Sequence, residues 1–115
     1  MRRLCTQCRV ESQPEDVEQR LLGCAADATL YRAFGCEECH FTGYRGRIAL
    51  IEIVRWSREL DELLSSRASL GELTRLAQEQ GFVELADIAV RRILDGVTTL
   101  EEAARVVDLT ERVRA

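Results

Sequence analysis

The sequence predicts an α+β, mostly helical fold: a small cysteine knuckle with a short strand pair, followed by a four-helix C-terminal subdomain. Three observations predict it. Two C-x-x-C pairs, Cys5/Cys8 and Cys36/Cys39, are separated by 27 residues. Between Ile48 and Val54, six of seven residues are apolar, several of them β-branched, which is strand chemistry. From Ser57 onward, apolar residues recur at helical spacing between capping and stop signals.

The two cysteine pairs suit a closed tetrahedral Zn(Cys)4 site, each pair bending tightly enough to set two sulfurs on one metal. Cys5, Cys8, Cys36 and Cys39 are the candidate metal ligands. Soft thiolates select Zn2+ over Mg2+ or Ca2+, and four of them leave no position open for water, so the ion is structural. Glycines 35, 43 and 46 suit a turn that aims backbone N–H groups at the sulfurs. Arg2, Arg3 and Arg9 flank the first pair and would offset the thiolate charge. Cys24 has no x-x-Cys partner and reads as a small buried side chain. His40, beside Cys39, reads as a solvent-facing loop residue, because four cysteines already fill the site. The predicted domains are a tetracysteine zinc-binding subdomain over 1–46 and a strand plus helical C-terminal subdomain over 47–115.

Taken in order, the first helix is expected over Ser12–Leu22. Pro14 stands in its first turn, Glu15 and Asp16 follow, and Val17, Leu21 and Leu22 share one face before Gly23 ends it. Arg47–Trp56 is expected as a strand without the alternation of one that faces water. A strand apolar on both faces belongs inside a covered sheet, yet the best partner in this chain is Ala28–Phe34. Ser57 caps a helix bearing Leu60, Leu63 and Leu64. Ser69 and Glu72 form a capping box ahead of Leu73, Leu76 and Ala77, with Gly81 as the stop. Phe82–Leu94 places Leu85, Ile88, Ala89 and Ile93 inward and stops at Gly96. Overlapping capping boxes, Thr98/Glu101 and Thr99/Glu102, precede a last helix with Leu100, Ala103, Ala104 and Val107. The four helices are expected as a small bundle, with a tail that frays from Asp108.

Composition narrows the function classes. An apolar share of 46% with 31% charged residues is globular. The net charge of −4 would become about −6 with four zinc-bound thiolates, which disfavours nucleic acid as a partner. All 16 basic residues are arginine, so neither Schiff-base lysine chemistry nor a P-loop lysine is available. G-x-x-x-x-G-K-[ST], G-x-G-x-x-G and H-E-x-x-H are absent, and the single histidine leaves no serine triad. The chain alone reads as no enzyme. The N-terminus has no apolar core of a signal peptide, and the longest uncharged apolar run, Ile48–Ile51, is far short of a membrane span. Paired cysteines kept for metal suit a reducing compartment, so a cytoplasmic setting is expected.

The order of motifs carries more than any one of them. Arg2-Arg-Leu-Cys-x-x-Cys8 is followed by Gly35-Cys-x-x-Cys-x-x-Thr-Gly-Tyr-Arg-Gly-Arg47-Ile, then Glu52-Ile53. Ala77-Gln-Glu-Gln-Gly81 and Asp95-Gly-Val-Thr-Thr-Leu-Glu-Glu102 come after them, with Arg105-Val106 last. This resembles the C-terminal region of type II secretion (general secretion pathway protein E) and type IV pilus assembly ATPases, from Arg2 to about Val107. The resemblance implies a tetracysteine zinc insertion and the helical C-terminal subdomain of a hexameric ATPase. The strand after Arg47 would join the sheet of a RecA-like core. ATP and Mg2+ would bind only in that parent core, whose nucleotide site lies upstream in sequence absent here. Implied partners are the core, neighbouring subunits of the ring and inner-membrane secretion or pilus platform proteins; the chain would be cytoplasmic and peripheral at the inner membrane through them. Phe82 after Gly81, Ile88 after Asp87, and the extra Cys24 depart from the usual family pattern. An alternative reading is a free-standing zinc-ribbon regulator that binds nucleic acid or protein, motivated by Arg2, Arg3, Arg9, Arg45 and Arg47.

Overall fold

The computed structural model describes residues 1–110. Among them are two antiparallel strand pairs and five helices: β1 (Arg2–Leu4), β2 (Val10–Ser12), α1 (Asp16–Leu22), β3 (Leu30–Arg32), β4 (Tyr44–Arg47), α2 (Arg58–Ser65), α3 (Leu70–Glu79), α4 (Leu85–Leu94) and α5 (Leu100–Ala104). β1 pairs with β4, placing Arg2 opposite Arg47 and Leu4 opposite Tyr44 across an irregularity in register. β2 pairs with β3, Val10 to Arg32 through Ser12 to Leu30. The mixed α and β content agrees with the expected fold class, with two strand pairs in place of one.

The chain divides into two compact units, Met1–Leu50 with Ala86–Ala115, and Ile51–Leu85. In the first, Leu22, Leu30, Ala89, Val90, Ile93, Ala103 and Leu109 form one buried cluster, with Cys24 and Leu50 packed against it. Ile93 is 2% exposed; its burial with neighbours from α1, β3, α4 and α5 ties the helical C-terminal stretch to the knuckle. Leu4 N–H donates to Val97 O at 2.8 Å, and Thr98 Oγ1 donates to Arg2 O at 2.8 Å. In the second unit, α2 packs on α3 over Leu60 and Ala77. Ser57 Oγ accepts the Leu60 N–H at 3.2 Å and Ser69 Oγ the Glu72 N–H at 3.2 Å, so both expected caps form.

Several expectations need correction. The helices do not group as one set of four: α2 and α3 belong to one unit, α4 and α5 to the other. The apolar faces of α4 and α5 find Leu22 and Leu30 instead. The first helix begins at Asp16, since Ser12 is held in the β2 ladder, and Val17 is exposed. Arg47–Trp56 forms no strand beyond Arg47; residues 48–57 have no regular structure, and Ile51, Ile53, Val54 and Trp56 are exposed. β3, at the site of the expected partner Ala28–Phe34, pairs with β2 alone, and residues 48–57 join neither strand pair. Leu109 is buried in the core instead of fraying; the remainder of the expected tail, 111–115, lies outside the described residues.

Candidate metal centre

Cys5 and Cys8 sit in the tight connection between β1 and β2, closed by the Arg9 N–H on Cys5 O at 3.1 Å. Cys36 and Cys39 bracket a single 3-10 turn, closed by the Cys39 and Phe41 N–H groups on Cys36 O at 3.2 and 2.8 Å. The Cys5 N–H donates to Gly43 O at 3.0 Å, which binds the first loop to the second. Thr42 Oγ1 donates to Cys39 O at 2.7 Å and steadies the exit from the turn. His40 and Phe41 take left-handed backbone, φ 54 and 60, and His40 faces solvent as expected.

These loops bring all four expected sulfurs together, with every Sγ within 4.8 Å of the others. Cys5–Cys36, Cys8–Cys39 and Cys36–Cys39 are 3.7, 3.8 and 3.8 Å apart. A tetrahedron with Zn–S bonds of about 2.3 Å has edges of about 3.8 Å; a disulfide would need about 2.05 Å. Four soft donors at that spacing fit Zn2+ and leave no open coordination position. Cys5 and Cys39 are buried, and Cys8 and Cys36 half-buried.

Backbone N–H groups supply the sulfur hydrogen bonds. Gly35 N donates to Cys8 Sγ at 3.3 Å, while Cys36 N and Gly43 N donate to Cys39 Sγ at 3.2 Å each. Burial pushes the Cys39 thiol up, but those two N–H donors together with the neighbouring Cys8 and Cys36 sulfurs outweigh it and bring the group down to about 6. Burial, with contacts to the Cys36, Cys39 and Cys5 sulfurs, raises Cys8 to about 11 against its single N–H donor from Gly35. Gly43 is a steric requirement as well: its φ is +82, and a Cβ there would lie 2.7 Å from Ala33 Cβ.

Two of the flanking arginines are held by partners of their own. Arg2 bonds Glu102 through Nε and Nη2, at 3.1 and 2.9 Å, and lies 4.2 Å over the Tyr44 ring. Arg9 donates to Gly96 O at 2.8 Å and lies 4.1 Å over the Tyr31 ring. Gly96 is therefore more than a helix stop, since a Cβ on it would meet Tyr31 Cδ2 at 2.7 Å. Cys24 stands apart from the sulfur cluster. Sequence reasoning missed Glu102 as the anchor of Arg2; the partners are 100 residues apart, and Glu102 sits in a motif that reads as a capping box. Only its Thr99 half operates as a cap, accepting the Glu102 N–H at 3.2 Å.

Comparison with known proteins places this geometry in a family. The family model described as type II/IV secretion system protein matches residues 1–105. The type IV pilus assembly ATPase TfpB of Acinetobacter baylyi is 39% identical over 114 residues, covering 96% of this chain and 20% of that protein. Type II secretion system protein E of Pseudomonas aeruginosa is 41% identical over 108 residues, covering 92% of this chain and 21% of that protein. The type IV pilus assembly ATPase PilB of Thermus thermophilus is 34% identical over 113 residues, covering 94% and 13% respectively. The chain thus spans about a fifth or less of the relatives it matches. Among the described residues no helix is long and apolar enough to cross a membrane. The match over nearly the whole chain establishes that it belongs to the type II/IV secretion system protein family.

Proposed function

We propose that this chain is the zinc-stabilised, non-catalytic C-terminal module of a bacterial secretion or pilus ATPase, serving subunit assembly and docking in type II secretion or type IV pilus biogenesis. The observation that carries the proposal is the segment Ile51–Trp56. Ile51, Ile53, Val54 and Trp56 are 49–70% exposed without a strand ladder, and apolar surface of this kind marks contact with another polypeptide. In this reading it completes the sheet of an ATPase core.

Cys5, Cys8, Cys36 and Cys39 hold one Zn2+, which closes the loops around it and fixes the shape that the core and neighbouring subunits meet. The ion supplies no chemistry. ATP and Mg2+ bind in the core, which carries the hydrolysis, since this chain has no P-loop. The module acts on the cytoplasmic side of the inner membrane, held there by platform proteins.

Elemental analysis together with size-exclusion chromatography against a separately expressed core tests the proposal. One zinc per chain and co-elution with the core are expected. A zinc-poor chain, or a stable monomer that ignores the core, would overturn it.

A further inference from the structure

A depression of about 410 Å3 on the first unit is lined by Arg2, Arg47, Glu102, Arg105 and Val106, beside Met1. Arg2 and Arg47 stand directly opposite one another in the β1–β4 register. Like charges so placed weaken a ladder, so this pairing is one that strand stability alone does not favour. Glu102 is the one acid in the lining, and it is largely committed. It accepts the Arg2 backbone N–H at 2.9 Å, takes both guanidinium bonds of Arg2, and lies 3.5 Å from Arg105 Nη1. Arg47 has no ion-pair partner among the described residues. Counting the terminal ammonium of Met1, which donates to Ile48 O at 3.0 Å, the lining therefore carries four positive charges against one negative.

The depression is also built in advance. Arg2 is fixed through Glu102, through Thr98 Oγ1 on its carbonyl at 2.8 Å, and by Tyr44 beneath its guanidinium. Tyr44 is itself held by a 2.8 Å hydroxyl contact to Thr99. A cation already ordered loses little freedom when an anion arrives.

We propose that this depression binds a phosphate dianion, free or as a phosphate monoester. A dianion offsets more of the positive surplus than a lone carboxylate does. Guanidinium forks suit tetrahedral oxyanions through paired N–H donors. The volume exceeds that of bare phosphate, so the organic part of a small monoester fits alongside Val106. The site is separate from the sulfur cluster and does not rest on association with an ATPase core.

Calorimetric titration of the full 115-residue chain with inorganic phosphate, glycerol 3-phosphate and acetate tests it, with ionic strength held by chloride. Saturable binding of one or both phosphates is expected at about 1 mM or tighter, with none of acetate. Glycerol 3-phosphate alone would point to a monoester as the ligand, inorganic phosphate alone to the free ion. Arg47→Gln and Arg105→Gln each weaken binding about tenfold. Both side chains are exposed, so the circular dichroism should not change, and should Arg105→Gln disturb the fold, Arg47→Gln decides alone. Arg91→Gln, on the exposed side of α4, binds as the parent does. No saturation by about 20 mM phosphate, acetate binding as well as phosphate, or Arg47→Gln binding unchanged would overturn the proposal. Any of these would leave the zinc and co-elution results untouched.

Discussion

Gly43 joins backbone conformation to sulfur chemistry in one residue. Its left-handed φ, its closeness to Ala33 and its N–H on Cys39 Sγ all belong to one turn. Gly43→Ala should therefore lower zinc affinity about 10–100-fold, as loss of outer-shell support does at metal sites; competition with a chromogenic chelator measures this. Glu102 carries a different burden. Arg2's hydrogen bonds hold its carboxylate down at about 2, against the upward push of burial, with help from Arg105. Its folded value thus lies below the unfolded one of about 4.3, so the stability it contributes is present above that value and is lost as pH falls through about 2. Glu102→Gln should cost about 1–3 kcal/mol at pH 7, a range kept modest because the Arg2 side chain is 40% exposed. The difference from the parent should vanish toward pH 2 in urea unfolding followed across pH. At this scale the four sulfurs were legible, because C-x-x-C spacing is local and each pair closes its own turn. Glu102 was not, since nothing local in the Thr99-x-x-Glu102 motif says that its acid turns to Arg2 across the fold.

Among the elements, the helices were legible wherever a cap and a stop bracketed an apolar face. Ser57, Ser69 and Thr99 each accept the expected backbone N–H. Their grouping was not legible, because amphipathic spacing states that a face is buried and not against what. For α4 and α5 the answer is Leu22 and Leu30, far away in sequence. The Ile48–Val54 segment shows the converse. Its composition announces a strand, but strand formation needs hydrogen-bonding neighbours, and among the described residues the segment joins neither strand pair. Ile53, 70% exposed, makes a clean test of what the segment is for. Ile53→Asp should leave the stability of the isolated chain within about 0.5 kcal/mol, as surface substitutions do. The same change should weaken association with the core measurably. A large loss of stability in the chain alone would show that the segment already serves this fold.

For the molecule as a whole, length limits what can be self-sufficient. A chain of 115 residues that divides into two units has little core in either, and the proposed tetrathiolate clamp would add what burial does not supply. Zinc sites of this type contribute about 10–16 kcal/mol in small peptides, so under the proposed function chelation should unfold the first unit. The resemblance legible in the motif order extends over nearly the whole chain, and the relatives it matches are about five times as long or more. In the proposed function this chain is a metal-clamped part that works only with an ATPase core. The most direct measurement is the ATP hydrolysis rate of a separately expressed core, alone and with the chain, before and after chelation. In that function the zinc-loaded chain should raise the rate, and the chelated chain should not. An unchanged rate with the fully loaded chain would contradict it.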